Sequence, residues 1–181
     1  MTDGAHRRDR RRLVEELRAA GIEDLAVLHA FDSVPRHRFV PEALRRRAYE
    51  DAALPIGHGQ TISRPGVHAL HLSLVALEGE ERVLEVGTGS GFQTALLARL
   101  CREVYSVERV PALAERARDR LAALGVENAV LRIGDGSRGW AEEAPFDVIL
   151  VGAAAPGVPE ALRGQLAVGG RMLVPVGEGD E

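Results

Sequence analysis

Residues 82–92, RVLEVGTGSGF, constrain the fold more than any other part of the chain. A short apolar run is followed at once by Gly87, Gly89 and Gly91, and then by an amphipathic segment that continues to Arg102. Glycine has no Cβ, so its backbone can turn at positive φ and approach a ligand closely. The order of these segments predicts strand, tight turn and helix, which is the opening unit of a doubly wound nucleotide-binding fold.

The spacing of the glycines separates two kinds of nucleotide site. A dinucleotide fingerprint of the GxGxxG type requires glycine or alanine at position 92, where this chain has Phe92. A carboxylate, Glu85, stands two residues before the first glycine. An anion there is unfavourable beside a pyrophosphate and favourable beside a cationic group such as the amino group of S-adenosylmethionine. The pattern therefore predicts S-adenosylmethionine rather than a nicotinamide cofactor, and a glycine-rich turn without a ligand is the structural alternative.

Apolar runs and amphipathic segments alternate along the chain, as they do in α/β proteins. Short apolar runs predict further strands over residues 104–107, 129–133, 147–151 and 171–175. Helical spacing predicts helices over residues 8–30 with a break at Gly21, 42–48, 65–78, 92–102, 111–124 and 159–166. The helix that opens at Pro65 carries Val67, Leu70, Leu74 and Leu77 at this spacing. Residues 49–63 show no period and are expected to form a loop, which inside a compact domain is more often functional than idle.

Composition limits the remaining choices. A chain of 181 residues suits a single domain, and its formal net charge of −4 argues against general nucleic-acid affinity. The basic run at residues 7–12 is interpreted as a solvated helical turn. No apolar stretch approaches the roughly 18 residues of a membrane span, and Cys101, the single cysteine, is expected to be a small buried hydrophobe. We expect a cytoplasmic monomer without nucleic-acid or membrane partners.

Three acidic residues stand at the predicted carboxyl ends of strands, where ligands bind in an open parallel sheet. They are Glu85, Glu108 and Asp135. A carboxylate at Glu108 can accept hydrogen bonds from ribose hydroxyls, and Asp135 can reach an exocyclic amino group such as that of adenine. Together with the glycine turn they predict a nucleoside site.

Four further segments carry a family resemblance. Residues 51–63, DAALPIGHGQTIS, resemble the signature of the protein-L-isoaspartate O-methyltransferases. Residues 34–41, VPRHRFVP, resemble the N-terminal segment of the same family, and residues 134–136 and 151–156 resemble its later motifs. The resemblance runs from about residue 34 to residue 177, so it covers most of the chain.

The resemblance implies the fold of class I methyltransferases and a defined reaction. That family uses S-adenosylmethionine to methylate the free α-carboxyl group of isoaspartyl residues in damaged peptides and proteins. The ester then cyclises to a succinimide, whose hydrolysis returns some normal aspartyl linkage. A carboxylate of this kind is ionised at neutral pH, so no general base is needed and catalysis is expected to be mainly positioning.

The resemblance also assigns residues. Ser63 matches the active-site serine, whose hydroxyl would donate to the substrate carboxylate; the structural alternative is an N-cap for the helix that opens at Pro65. Asp51 is expected to brace the loop rather than to react. No metal is expected. The predicted cofactor-binding residues are Gln60, Thr61, Ile62, Ser63, His68, Glu85, Gly87, Thr88, Gly89, Ser90, Gly91, Glu108, Arg109, Asp135 and Gly136.

Domain organisation follows from the same segments. Residues 1–181 are expected to form one methyltransferase domain, with an N-terminal helical segment at 1–50, a substrate and cofactor loop at 51–64 and a nucleotide-binding core at 65–177. The family continues past the last predicted strand with a further antiparallel pair, which the chain is expected to lack. The functional alternatives are therefore a methyltransferase dedicated to one peptide, or a module that binds the cofactor but is inactive. A different small-molecule methyltransferase is disfavoured by the run from Gly57 to Ser63.

Overall fold

The computed structural model describes residues 3–153, 155 and 157–177. The helices are α1 (Asp3–Ala19), α2 (Leu25–Ser33), α3 (Pro65–Val75), α4 (Phe92–Leu97), α5 (Pro111–Ala123) and α6 (Glu160–Arg163). The strands are β1 (Leu54–Gly57), β2 (Gln60–Ile62), β3 (Arg82–Val86), β4 (Glu103–Glu108), β5 (Ala129–Ile133), β6 (Phe146–Val151) and β7 (Leu166–Leu173). Short 3-10 helices cover Arg36–Arg38, Glu42–Arg47, Gly136–Arg138 and Ala141–Glu143.

Five parallel strands form the central sheet in the order β5-β4-β3-β6-β7. Strand β3 lies in the middle, with Leu84 opposite Tyr105 of β4 and opposite Ile149 of β6. The chain moves outward from β3 in one direction through β4 and β5, and then returns to the other side of β3 with β6. The switch point therefore lies between β3 and β6, which is where such sheets bind ligands. The predicted Rossmann-like parallel sheet is confirmed.

Helices cover both faces of the sheet, and one face is covered by more of them than the other. Val83 and Val148 belong to a large apolar cluster that includes residues of α1 to α5. Leu84 and Ile149, their neighbours along the same strands, belong to a smaller cluster that includes Leu162 of α6. Alternate residues of each strand thus face opposite layers, as the pleat of a strand requires. Cys101 is buried in the larger cluster, as predicted, and burial raises the pKa of its thiol to about 12.

The predicted loop at residues 49–63 contains a hairpin formed by β1 and β2. Its turn passes through His58 and Gly59, which have φ values of +56° and +68°. Positive φ at both central residues is the mark of a type I′ turn, whose twist matches that of the flanking strands. The strands have four and three residues, too few for a period of two to be recognised in the sequence, although buried and exposed residues alternate along β1.

Helix α3 exposes part of the row of leucines that marked it in the sequence. Leu70 and Leu74 are 50% and 59% exposed, whereas His68, Ala69 and Leu72 lie on the buried face. The helix ends when Ala76 adopts a left-handed φ of +46°, three residues before Gly79. The predicted helix is thus present, but its buried face is not the predicted row.

Element boundaries near the last strand also differ from the sequence pattern. Helix α6 is a single turn that ends at Arg163, and β7 begins at Leu166, where it pairs with Phe146. The predicted strand began five residues later, at Arg171, because Gly169 and Gly170 interrupt the apolar run. Over the described part of the chain, none of the helices combines the length and apolar character that crossing a bilayer requires.

Candidate active site

The glycine turn joins β3 to α4 at the switch point of the sheet. Gly87, Gly89 and Gly91 all have positive φ, at +94°, +54° and +86°. A Cβ on Gly91 would lie 3.1 Å from the Cβ of Ala117 on α5. Gly91 therefore allows α4 and α5 to pack closely, whereas Gly87 and Gly89 lie at the carboxyl edge of the sheet.

Glu108 braces this turn from the end of β4. Its Oε2 accepts a hydrogen bond from the Gly89 amide at 2.8 Å, and its Oε1 accepts one from the Val110 amide at 2.9 Å. The side chain is only 6% exposed. One carboxylate thus fixes the glycine turn and also presents its remaining lone pairs to the space beyond the strand ends.

A cavity of about 310 Å³ occupies that space, and we call it the nucleoside cavity. Its volume lies at the lower end of the range of small-molecule sites, about 300–1,000 Å³. Its lining residues are Gln60, Val86, Gly87, Val107, Glu108, Arg109, Asp135, Gly136, Ser137, Val151, Ala153, Ala155, Pro159 and Leu162. Two carboxylates, small residues and apolar side chains therefore meet at one edge of the sheet.

The segment after β5 shapes one wall of the nucleoside cavity. Asp135 accepts hydrogen bonds from the amide and the hydroxyl of Ser137 at 3.0 and 2.7 Å. These bonds stabilise the carboxylate and lower the pKa of Asp135. A Cβ on Gly136 would lie 2.4 Å from Cγ1 of Val86, so a larger residue does not fit there.

A smaller cavity of about 50 Å³ adjoins the nucleoside cavity, and we call it the loop cavity. Gly87 lines both cavities. The loop cavity is lined by Thr61, Ile62, Ser63, His68, His71, Gly87, Thr88, Gly89, Ser90, Gln93 and Gly152. The hairpin also lies against the glycine turn, since a Cβ on Gly89 would be 3.6 Å from Cδ1 of Ile56. The predicted substrate loop and the glycine turn thus enclose one space.

Arg36 holds the Ser63 segment from behind. Its guanidinium donates to the carbonyls of Ser63 and Ala48 at 2.9 and 2.8 Å, and it stacks over the ring of Phe92 at 4.9 Å. Burial lowers the pKa of Arg36 to about 9, so the group is still charged at neutral pH. A buried cation with three such contacts fixes the Ser63 backbone relative to the start of α4.

The start of α3 settles the roles of two loop residues. Arg64 is the N-cap residue of α3, and no side chain caps the helix from that position. The alternative role of Ser63 as the N-cap is therefore wrong. Asp51 instead accepts a hydrogen bond from the Gly66 amide at 2.7 Å, which confirms that Asp51 braces the loop.

Glu85 lies behind the glycine turn and does not line either cavity. It is fully buried, and its Oε2 accepts hydrogen bonds from the hydroxyls of Thr94 and Ser106 at 2.5 and 2.6 Å. Burial raises the pKa of Glu85 to about 7. The expected direct approach of Glu85 to a ligand amino group is therefore corrected, because its side chain points from β3 toward α4 and β4 rather than past the strand end.

The other predicted cofactor residues line one or both of the cavities, except Gly91. Residues 61–63, His68 and residues 87–90 line the loop cavity, and Gln60, residues 108–109 and residues 135–136 line the nucleoside cavity. The prediction omitted His71 and Gln93 on helices, and the small residues Gly152 and Ala153 after β6. The small pair could have been found, because it follows a predicted strand at the carboxyl edge of the sheet. Among the described residues, no group of three or more histidine, cysteine or acidic side chains could hold a metal ion.

Comparison with known proteins decides the family. The family model of protein-L-isoaspartate(D-aspartate) O-methyltransferase (PCMT) matches residues 8–181. The chain belongs to the protein-L-isoaspartate O-methyltransferase family. The protein-L-isoaspartate O-methyltransferase of Myxococcus xanthus is 59% identical over 157 residues, which cover 87% of this chain and 74% of that protein. The one from Anaeromyxobacter dehalogenans is 60% identical over 171 residues, which cover 94% of this chain and 82% of that protein.

Solved structures of protein-L-isoaspartate O-methyltransferases agree with this assignment. One superposes with a TM-score of 0.84 at 35% identity and covers 92% of this chain, which in turn spans 55% of that chain. A second, from Plasmodium falciparum, superposes with a TM-score of 0.80 at 30% identity and covers 92% of this chain and 83% of its own. The Plasmodium protein, a putative protein-L-isoaspartate O-methyltransferase by its description, was solved in complex with S-adenosyl-L-homocysteine.

Proposed function

We propose that this protein transfers the methyl group of S-adenosylmethionine to the free α-carboxylate of L-isoaspartyl residues in damaged proteins and peptides. The ester formed would close to a succinimide and so initiate repair. The observation that carries the proposal is the loop cavity, where the Ser63 segment and the glycine turn face each other next to a nucleoside cavity.

The chemistry of the two cavities fits S-adenosylmethionine. Glu108 and Asp135 place acceptors in the nucleoside cavity for ribose hydroxyls and an exocyclic amine. Gly136 and Gly152 keep the walls free of side chains where a Cβ would clash or crowd the backbone. His68 lines the loop cavity, and its buried Nε2 has no hydrogen-bond partner among the described residues. When bound, S-adenosylmethionine would supply a methyl group on a positively charged sulfur. A carboxylate oxygen would bond to the methyl carbon, and S-adenosyl-L-homocysteine would leave.

The protein's own residues then act by positioning. The substrate carboxylate is ionised at neutral pH, so no residue has to remove a proton. The Ser63 hydroxyl donates to that carboxylate and orients one oxygen along the line of attack. Arg36 and Asp51 keep the Ser63 segment in place, and Glu108 keeps the glycine turn in place. Holding the reacting atoms in line is the main contribution that such a site makes to the rate.

A labelled-methyl assay tests the proposal. The protein is incubated with labelled S-adenosylmethionine and two peptides that differ only in an isoaspartyl or an aspartyl linkage. Base-labile label on the isoaspartyl peptide alone is the expected result. Binding of S-adenosyl-L-homocysteine without transfer to either peptide would instead identify an inactive cofactor-binding module. Transfer to the normal aspartyl peptide would overturn the proposal in favour of a dedicated peptide-modifying enzyme.

The proposal includes three predictions about context. The enzyme acts as a cytoplasmic monomer, it uses no nucleic-acid or membrane partner, and residues 1–181 act as one domain with the segments 1–50, 51–64 and 65–177. Light scattering after size-exclusion chromatography measures the mass of the particle. Cell fractionation followed by immunodetection tests the location. A single cooperative unfolding transition, observed with the same midpoint by calorimetry and by circular dichroism, is expected for one domain.

A further inference from the structure

His68 and Gln93 form a buried pair at the wall of the loop cavity. The Nδ1 atom of His68 lies 2.8 Å from Oε1 of Gln93. The two side chains are 8% and 5% exposed, and both line the cavity. The other ring nitrogen, Nε2 of His68, is buried and has no hydrogen-bond partner within the described part of the chain. A buried histidine with one bonded and one unused nitrogen is a polar group prepared for a ligand.

The orientation of the Gln93 amide follows from its contacts. Oε1 of Gln93 is the atom that lies 2.8 Å from Nδ1 of His68. Nε2 of Gln93 lies on the other side, where it would be 3.8 Å from a Cβ on Gly152. The amide oxygen of Gln93 consequently faces His68.

An amide oxygen can only accept, so Nδ1 of His68 must carry the proton. In a neutral imidazole the second nitrogen is then an acceptor. Burial and the nearby charge of Arg36 lower the pKa of His68 to about 3, so the ring is neutral at physiological pH. Nε2 therefore carries a lone pair and no proton, on a side chain that lines the loop cavity.

We propose that Gln93 is a positioning residue that holds His68 in the Nδ1–H tautomer, so that Nε2 accepts a hydrogen bond from the ammonium group of S-adenosylmethionine. The inference rests on the proposed function of the same cavity. A lone pair on Nε2, with the Gln93 amide oxygen on the other ring nitrogen, favours a cation. Hydroxyl donors from Ser63 and Ser90 line the same cavity and suit the carboxylate of the ligand instead.

The tautomer is measured directly in the protein without ligand. Long-range proton–nitrogen NMR spectra of protein labelled with ¹⁵N-histidine distinguish Nδ1–H from Nε2–H rings, and His68→Gln assigns the signal. The wild type is expected to show the Nδ1–H form of His68. Gln93→Met, which is similar in size and offers no amide acceptor, is expected to give a mixture of tautomers. Thr94→Val is the matched control, because it removes a donor to Glu85 and leaves the Gln93–His68 hydrogen bond intact.

Calorimetric titration then tests whether the protein recognises the amino group of the ligand. The wild type and Thr94→Val are expected to bind S-adenosyl-L-homocysteine at least about tenfold more tightly than its analogue without the amino group. Gln93→Met is expected to lose most of this preference. An Nε2–H ring in the wild type, or an unchanged preference in Gln93→Met, would overturn the inference. If Gln93→Met does not fold, Gln93→Leu replaces it in both measurements with the same expected results.

The same titration separates this inference from the proposed function. Binding of S-adenosyl-L-homocysteine without any preference for the amino group overturns the role of His68 and Gln93, while methyl transfer to isoaspartyl peptide upholds the function. A wild type that binds neither ligand overturns both. Transfer activity combined with the expected preference supports both.

Discussion

Replacing Glu108 with glutamine tests whether one carboxylate both braces the glycine turn and binds the cofactor. The carboxylate accepts from the Gly89 amide with one oxygen and from the Val110 amide with the other. Glutamine has nearly the same shape, but only one end of its amide can accept. Its other end would place N–H groups against a backbone N–H, so one bond is lost and replaced by a repulsive contact.

The size of the effect follows from these two bonds. A hydrogen bond to a charged acceptor contributes about 1.5–3 kcal/mol to stability, and Glu108 is nearly fully buried. We therefore expect the free energy of unfolding to fall by about 2–3 kcal/mol in Glu108→Gln. For a chain of this length that lowers the melting temperature by roughly 4–12 °C. Loss of a charged acceptor for the ribose should also weaken cofactor binding by about 1–3 kcal/mol, or roughly 5–150-fold.

Two measurements and one control variant test the two roles of Glu108. Calorimetric titration with S-adenosyl-L-homocysteine gives the affinity, and differential scanning calorimetry gives the melting temperature. Glu103→Gln is the control, because Glu103 lies on the same strand but is half exposed and pairs with Arg82 at the surface, where such pairs contribute about 0–1 kcal/mol. Wild-type affinity and melting temperature in Glu108→Gln would refute both roles of Glu108.

Three further predictions concern the loop and the buried network. Ser63→Ala should lower turnover about 10–150-fold while cofactor affinity changes by less than a few-fold, whereas Ser33→Ala, a serine of α2, should change neither. A large loss of cofactor affinity in Ser63→Ala would show that the serine is structural. Burial raises the pKa of Glu85 from its ordinary value to about 7, so the native state holds this proton more tightly than the unfolded state does. The free energy of unfolding of the wild type, relative to that of Glu85→Gln, should therefore fall by up to about 3 kcal/mol as the pH rises from 4.5 to 7. Above pH 7 this difference should change no further. A wild-type-minus-variant difference that is flat across this range, measured by urea denaturation, contradicts that pKa. Asp51→Ala should lower stability by about 1 kcal/mol because the Gly66 amide loses its acceptor, whereas Asp51→Asn retains an acceptor and should lose less. Equal melting temperatures for the two Asp51 variants would argue against this hydrogen bond.

The parts of the site that lie close together in sequence could be predicted from it. The glycine turn is a local structure whose φ values require glycine, so residues 87–91 and the following helix were predictable. The acidic residues Glu108 and Asp135 were also predictable, because parallel strands bring their carboxyl ends to one edge. The hairpin was missed, since strands of three and four residues carry no measurable period.

Side-chain direction was the main quantity that the sequence pattern could not supply. A strand buried on both faces reads as a continuous apolar run, so the pattern around Glu85 does not say toward which layer it points. The register of β3 between β4 and β6 decides this, and it depends on contacts between distant residues. The pairing of His68 with Gln93 joins residues 25 positions apart and is equally invisible to local patterns. Leu70 and Leu74 are exposed on α3 although their helical spacing predicted a buried face, so the direction of side chains on a helix was not fixed by local spacing either.

Arg36 connects the N-terminal segment to both walls of the candidate active site. Its contacts run from the 3-10 helix at Arg36–Arg38 to the backbone carbonyl of Ser63 and to the ring of Phe92, which opens α4. Engineered versions that begin at residue 51 would therefore keep the residues that line both cavities and lose the buried cation that holds the Ser63 segment. Grafting residues 51–64 onto another methyltransferase would transfer the hairpin itself. The position of Ser63 relative to the glycine turn would be transferred only if an equivalent buried cation came with it.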